Sequence, residues 1–404
     1  MRRWFKRIGL SLFALVLLAI AALPAIVGIR PIIGPRARAL TDRTFESTPA
    51  RLERGRYLVS SVSLCFACHS ELDWTSFTMK PGTEGSGRSW ADEGLPFLAA
   101  PNITPDRETG AGTWTDDQLA RAIREGIGHD GRTLFPVMPY PQYKYMADED
   151  LASIVVYLRS LPPVRKSLAP PTIPFPLNRF INAVPEPVTA PVSPSNSSDQ
   201  VAHGDYLVRI GICRDCHTPL DAQGAAIPGM EFAGGFPLVS PATPNGEIAS
   251  ANITSDASGI PYYTEDLFLE VMRTGMVRSR KIHNFMPWQM YGKQTDEDLK
   301  AIFAYVKTIP PVQHRVDNSL PPTDCPRCGL RHGAGNQNKP APSTRVGRAF
   351  TARLPDQGTR HKAQRQSTNR NRTGPQRHRD TEPMRPLWLL ICALSFVTCD
   401  LCLD

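Results

Sequence analysis

The sequence predicts an all-α fold: two tandem helical units with long loops and few strands, behind one N-terminal apolar segment. Two observations carry that prediction and a third bounds it. Residues 55–69 read GRYLVSSVSLCFACH and residues 204–217 read GDYLVRIGICRDCH, so a unit of about 110 residues occurs twice. Near the end of each unit apolar positions fall at i, i+3, i+4 and i+7: Leu151, Ile154, Val155 and Leu158, then Leu299, Ile302, Phe303 and Val306. Over 404 residues the chain is 41% hydrophobic and 21% charged, which excludes a wholly disordered, collagen-like or polytopic membrane chain.

Taken in order, the chain begins with Arg2, Arg3, Lys6 and Arg7, followed by the uncharged apolar run Ile8–Ile29. Its 22 residues are enough to cross a bilayer core, and the basic cluster would keep the N-terminus cytoplasmic. Residues 1–30 are therefore expected to form a single anchor, with a cleaved leader as the alternative. Residues 31–50 read as a linker, 51–164 as the first unit, and 165–198 as a stiff strap; residues 161–194 alone carry ten prolines. Residues 199–316 form the second unit. Residues 317–404, basic and poor in aromatics, read as a disordered tail, with Leu387–Leu403 slightly short for a second span.

Each unit has the same helix plan. One helix carries Tyr57, Leu58 and Val59, or Tyr206, Leu207 and Val208, into the cysteine pair. A second starts at Thr115 or Thr264, and Thr115 with Gln118 fits a capping box. The last starts near Asp148 or Asp296, its acidic first turn favourable against the helix dipole, and ends before Pro-Pro.

Charge argues against nucleic acid as a partner. Residues 55–324 hold 22 Lys and Arg against 30 Asp and Glu, whereas residues 1–54 and 325–404 carry net charges of +7 and +9. A nucleic-acid reader puts its basic stripe on the folded domain.

The chemistry lies in Cys65-Phe66-Ala67-Cys68-His69 and Cys213-Arg214-Asp215-Cys216-His217. C-x-x-C-H is the attachment signature of c-type haem: two thiols on one helical turn reach the two vinyl groups, and the next residue aims its ring nitrogen at the iron. Cys65, Cys68, Cys213 and Cys216 are thus the expected thioether positions, and His69 and His217 iron ligands, for two covalent haems c. A bare CxxC would leave a disulfide, zinc or redox dithiol open. The adjoining histidine and its recurrence favour haem, which requires an exported apo-chain.

The second axial ligands follow from spacing. Met138 lies 69 residues after His69, and Met286 lies 69 after His217; both precede proline. Met146 and Met290 are rivals, but their repeat equivalents are Gln294 and Gln142. His/Met ligation raises the potential and closes the iron, which suits electron transfer. Asn102-Ile103-Thr104 and Asn252-Ile253-Thr254 are expected to cap local backbone or to reach a haem propionate. Trp114 and Tyr263 should pack near a haem edge or in the core. His129 and His283, unmatched in the repeat, read as surface or hydrogen-bonding histidines. In Cys325-Pro-Arg-Cys328 the following His is missing, and zinc through Cys325, Cys328 and His332 would need a fourth ligand.

The stretches PNITPDRETGAGTWTDDQLARAIREGI and FPVMPYPQYKYMADEDLASIVVYLRSLPPV, with the two C-x-x-C-H units, resemble the cytochrome c subunits of membrane-bound alcohol and gluconate dehydrogenases. The similarity runs from about Gly55 to Val312. It implies tandem class I cytochrome c domains that pass electrons from a periplasmic dehydrogenase to quinone, a terminal oxidase or a soluble carrier. It also implies an inner-membrane protein with its haem domains in the periplasm. Cys65, Cys68, His69 and Met138 match the family's ligand pattern, as do Cys213, Cys216, His217 and Met286. The relatives have three such domains; here the third would begin near Cys325, where the His is absent. The chain is thus expected to be an electron carrier or the electron-transfer subunit of an oxidoreductase. The alternative is a haem enzyme such as a diheme peroxidase or a thiosulfate-oxidising cytochrome. The first needs an open iron and the second a Cys axial ligand, and no spare Cys exists before Cys325.

Overall fold

The computed structural model describes residues 28–91, 95–221, 224–239 and 247–340, with parts of 3–18. The structure is mostly helical with long loops; among the described residues the strands form five two-stranded antiparallel pairs.

The first repeat opens with α1 (Pro49–Tyr57), capped by Thr48, whose side chain accepts the Arg51 N–H. It passes into a π-helical turn, Leu58–Val62, and then into α2 (Cys65–His69). After a long loop come α3 (Asp116–Glu125), α4 (Tyr140–Tyr143) and α5 (Asp148–Ser160). The second repeat follows the same order: α6 (Gln200–Ile210), α7 (Cys213–His217), α8 (Glu265–Thr274), α9 (Trp288–Tyr291) and α10 (Asp296–Val306). The capping box expected at Thr115 and Gln118 is present in both directions. All eight residues of the two expected apolar stripes are buried.

The π-helical turn has a cause in the sequence. Cys65 stands eight positions after Tyr57, but Cys213 stands seven after Tyr206. The extra residue of repeat 1 is absorbed where a π-turn widens the helix, and the attachment turn keeps its place. In both repeats the residue before the first cysteine is left-handed, Leu64 at φ 50° and Ile212 at φ 52°. That conformation costs a branched side chain on the order of 1–3 kcal/mol and is held by the surrounding packing.

Two glycines allow the helices of each repeat to cross closely. A Cβ on Gly55 would lie 2.0 Å from the Ser153 carbonyl oxygen of α5, and one on Gly204 would lie 1.9 Å from that of Ala301 in α10. The repeats share a single core: Leu58, Val62, Phe66, Leu151 and Val155 of the first cluster with Leu207, Ile210, Leu299 and Phe303 of the second. The Pro-rich strap lies on repeat 1, where Leu177 and Ile181 bury against Leu98 and Phe135. Thr172 N–H donates to Phe97 O at 2.9 Å.

Two expectations are corrected. Among the described residues no helix is long and apolar enough to cross a membrane, so the anchored inner-membrane placement does not stand. Residues 15–17 and 19–27 of the apolar run lie outside the described residues. Gly28, the next described residue, is left-handed with φ 79°, and a short helical turn follows at Arg30–Ile33. Residues 317–340, expected as the start of a disordered tail, instead carry the hairpin Pro322–Asp324 with Arg331–Gly333 and a 3-10 turn at Gly335–Gln337. The apolar side of that segment packs on repeat 2, with Cys325 and Cys328 beside Met230, Ala233 and Val312. The rest of the expected tail, 341–404, and the second span within it lie outside the described residues.

Candidate functional site

Each C-x-x-C-H segment folds as one helical turn, which brings both thiols and the imidazole to one side. His69 Nδ1 lies 2.8 Å from Pro101 O, and His217 Nδ1 lies 2.8 Å from Ala251 O. A carbonyl oxygen only accepts, so Nδ1 carries the proton in both rings and Nε2 presents its lone pair. Burial pushes both imidazoles below their ordinary value, which keeps them neutral; the carbonyl bonds oppose this only in part. A neutral, oriented Nε2 is what a metal ligand requires. Burial also pushes the Cys65, Cys213 and Cys216 thiols up to about 12, so they are neutral thiols rather than the reactive thiolates of a redox dithiol.

The two carbonyls that orient these histidines immediately precede the Asn-Ile-Thr segments. Asn102 Nδ2 donates to Val164 O at 2.7 Å, Thr104 Oγ1 donates to Asn102 Oδ1 at 2.7 Å, and Thr104 Oγ1 accepts the Val164 N–H at 3.2 Å. Asn252, Thr254 and Val312 repeat the pattern at 2.8, 2.8 and 3.1 Å. Each segment thus clamps the chain that follows Pro-Pro at the end of α5 or α10. These bonds are the backbone-capping role, and both asparagines also line the cavity that the two attachment turns share. Both asparagines are buried.

All eight expected attachment and ligand residues line one cavity of about 1970 Å³: Cys65, Cys68, His69 and Met138 with Cys213, Cys216, His217 and Met286. That is roughly twice the upper end of an ordinary single-ligand pocket, about 1,000 Å³. The rival methionines, Met146 and Met290, are buried in the shared core and are absent from the cavity wall. The loops presenting Met138 and Met286 are set by matching turns: Met138 N–H donates to Phe135 O at 3.0 Å, and Met286 N–H to His283 O at 3.1 Å. Behind them Tyr140 packs on Gly126 and Trp288 on Gly275, both left-handed glycines where a Cβ would come within 2.6 and 2.4 Å of the ring.

The residues present fit covalently attached haem. The wall is dominated by apolar side chains, with the four thiols and two bare imidazole nitrogens as its reactive groups. Trp90 also lines it, and its indole N–H is buried without a partner, as a group awaiting an acceptor on a bound ligand would be. Trp114 and Tyr263 both reach the wall; Trp114 stacks on His129 with ring centroids 4.3 Å apart. His129 and His283 lie at the exposed edge, and His283 Nδ1 accepts the Phe285 N–H at 3.0 Å. Sequence reasoning missed Tyr143 and Tyr291, whose hydroxyls donate to Ser63 O at 2.6 Å and Gly211 O at 2.5 Å, just ahead of each attachment turn. Their equal offset from Met138 and Met286 was the available signal. Arg88, buried on the wall between Trp74 and Trp90, was also missed; its repeat counterpart is Phe236, so no pattern marks it.

No family model matches the chain. Among curated proteins it is 31% identical over 284 residues to the cytochrome c subunit of the quinone alcohol dehydrogenase of Gluconobacter oxydans, covering 66% of this chain and 56% of that one. It is 30% identical over 285 residues to the gluconate 2-dehydrogenase cytochrome c subunit of Pantoea cypripedii, covering 65% and 60%. A diheme cytochrome c-type protein of Cereibacter sphaeroides is 28% identical over 256 residues, covering 62% and 83%. The chain spans little more than half the length of the alcohol dehydrogenase subunits it matches. Its resemblance to dehydrogenase cytochrome c subunits, read first from the two C-x-x-C-H units and the methionine loops, is thereby established: the chain is a homologue of those subunits.

Proposed function

We propose that the chain is a two-haem c-type cytochrome, built as tandem class I cytochrome c domains, that carries electrons for a dehydrogenase. One observation carries the reading: both C-x-x-C-H turns, each with a bare Nε2, open with one methionine loop each onto a single cavity. Cys65 and Cys68 would hold one haem through thioethers, with His69 and Met138 as its iron ligands; Cys213, Cys216, His217 and Met286 would hold the other. Bound there, haem supplies one-electron chemistry at a closed iron. The protein orients both imidazoles, excludes water with the apolar wall and brings the two attachment turns together, where Gln142 of repeat 1 donates to Asp215 of the second attachment turn at 2.8 Å.

The relatives are cytochrome subunits of alcohol, gluconate and fructose dehydrogenases, which supports a dehydrogenase as electron donor. The acceptor would be quinone, an oxidase or a soluble carrier. The acidic region 55–324 suits docking to a basic face, with rates that fall as salt rises. The test is a haem count and a carbon monoxide titration of the reduced full chain. Two haems per chain with no carbon monoxide shift is expected. One haem, or a shift at either, would overturn the closed two-haem reading, and a shift would direct attention to peroxide turnover.

A further inference from the structure

We infer that His314, Cys325, Cys328 and His332 form a structural zinc site that staples the C-terminal hairpin to repeat 2. The sequence supplies three of these residues within one short segment. The structure supplies the fourth, His314, which stands 11 residues before Cys325 and is therefore outside any compact motif. All four are buried, and their ligand atoms lie within 4.8 Å of one another.

The geometry is that of a tetrahedral ion. With Zn–N of about 2.05 Å and Zn–S of about 2.3 Å, the vertices of a tetrahedron stand about 3.4 Å apart for N–N and about 3.5 Å for N–S. Here His314 Nε2 and His332 Nε2 are 3.2 Å apart, Cys325 Sγ is 3.4 Å from His314 Nε2, and Cys328 Sγ is 3.5 Å from His332 Nε2. Two sulfurs and two imidazoles in that geometry form a zinc donor set, with iron the competing metal.

Protons point the same way. His314 Nδ1 lies 2.9 Å from Ala233 O and His332 Nδ1 lies 3.0 Å from Gly333 O. Both Nδ1 atoms donate to backbone carbonyls, so each ring turns its Nε2 toward the cluster, and those carbonyl bonds are the outer support expected of metal-bound histidine. On binding Zn²⁺ the two thiols release their protons to solvent, and two thiolates balance the ion, so the buried cluster is neutral. The turn fits as well: Gly329 N–H donates to Cys325 O at 2.9 Å, with Gly329 left-handed at φ 74°.

The site has a reason to exist where it does. Val316, Asp317, Asn318 and Ser319, between His314 and the hairpin, form part of the cavity wall on the side of the second attachment turn. Asn318 exchanges two hydrogen bonds with the backbone of Ala249, two residues before the carbonyl that orients His217. In repeat 1 the position equivalent to His314 is Lys166, which donates to Gly87 O at 2.7 Å and pairs with Glu71. An ion pair fastens that segment in the first repeat, and a metal would do so in the second.

The experiment is elemental analysis of the purified full chain after exhaustive dialysis, read beside a count of titratable thiols. One zinc per chain is expected, with Cys325 and Cys328 unreactive until a chelator removes it. Cys328→Ser should lose the zinc and keep the iron of the attachment turns. Should that variant fail to fold, the wild-type zinc and thiol counts decide the matter alone. A chain without zinc whose two thiols titrate freely, a Cys325–Cys328 disulfide, or an extra iron in place of zinc would each overturn the assignment. Iron reports the haem reading and zinc reports this one, so the two fail separately.

Discussion

Tyr206 donates its hydroxyl to Asp150 Oδ2 at 2.6 Å, across the boundary between the two repeats. Tyr57 returns the contact, donating to Asp298 Oδ2 at 2.5 Å. Each tyrosine also accepts the N–H of the residue that caps the opposite helix, Ala147 for Tyr206 and Thr295 for Tyr57. The repeats therefore meet as the subunits of an isologous dimer do, with one surface used twice. Arg54 forks onto Asp150, and His203 takes the matching place on Asp298. Burial raises both tyrosine hydroxyls well above their ordinary value, so they remain donors across the usual pH range.

Tyr206→Phe removes one clasp and leaves the Ala147 N–H buried without that acceptor. The expected loss is about 1–3 kcal/mol, since an unsatisfied buried group costs that much. Urea unfolding should show a lower midpoint at unchanged slope. Tyr57→Phe should behave alike, and an unchanged midpoint in both would show that the repeats are held by the shared core alone.

The helix crossings make a sharper prediction. In an exposed helix Gly→Ala gains about 1 kcal/mol from propensity. At Gly204 the new Cβ would sit 1.9 Å from a backbone oxygen, which no rotamer can relieve, so α6 and α10 must separate. Overpacking of that kind costs about 1–3 kcal/mol or more and outweighs the gain. Gly204→Ala and Gly55→Ala should both lower the melting temperature; a rise in either would mean that the helices part without cost.

Much of this architecture was legible because it is written twice. The helix starts at Thr115 and Thr264, the stripes from Leu151 and Leu299, and the paired Met-Pro loops all follow from local pattern. What escaped was non-local. The Tyr57–Asp298 contact joins residues 241 apart. His314 meets Cys325 only because the chain after α10 folds back under the hairpin, and so a segment read by composition as tail carries buried side chains. The long apolar N-terminal run shows the opposite failure. Length and hydropathy suggested a span, while among the described residues no helix is long and apolar enough to cross a membrane.

Asp117 gives a prediction about pH. Its side chain is fully buried at the start of α3, where Arg38 forks onto it at 2.7 Å, Arg43 pairs at 2.6 Å and Thr41 N–H donates at 2.7 Å. Burial alone would raise its carboxyl, but Arg38, the Thr41 N–H and Arg43 outweigh it and hold the group well below the carboxylate range. A lowered folded value stabilises above the unfolded value of about 3.9 and is lost as pH falls through the folded one. The docking of residues 38–45 should therefore survive mild acid and fail only in strong acid. Asp117→Asn should abolish that dependence and release the segment at neutral pH. Limited proteolysis near Arg38 and Arg43 across a pH series reads both effects, and equal cleavage of the two proteins at pH 7 would sink the argument.

The methionine assignments are the most direct test of the cavity. Met138 and Met286 stand on its wall, whereas Met146 and Met290 are packed in the core. Met138→Ala should leave both haems covalently attached, because the thioethers come from the cysteines, but should open one iron to carbon monoxide in the reduced protein. Met286→Ala should open the other, and the double variant both. Met290→Ala should open neither and should instead cost about 2–5 kcal/mol of stability, as a buried Met→Ala does. The single variants should also lower the potential of the altered haem alone, because a thioether ligand raises it. Retention of the Met-to-iron absorption band at full strength in Met138→Ala would remove that residue from the iron and return the choice to Met146.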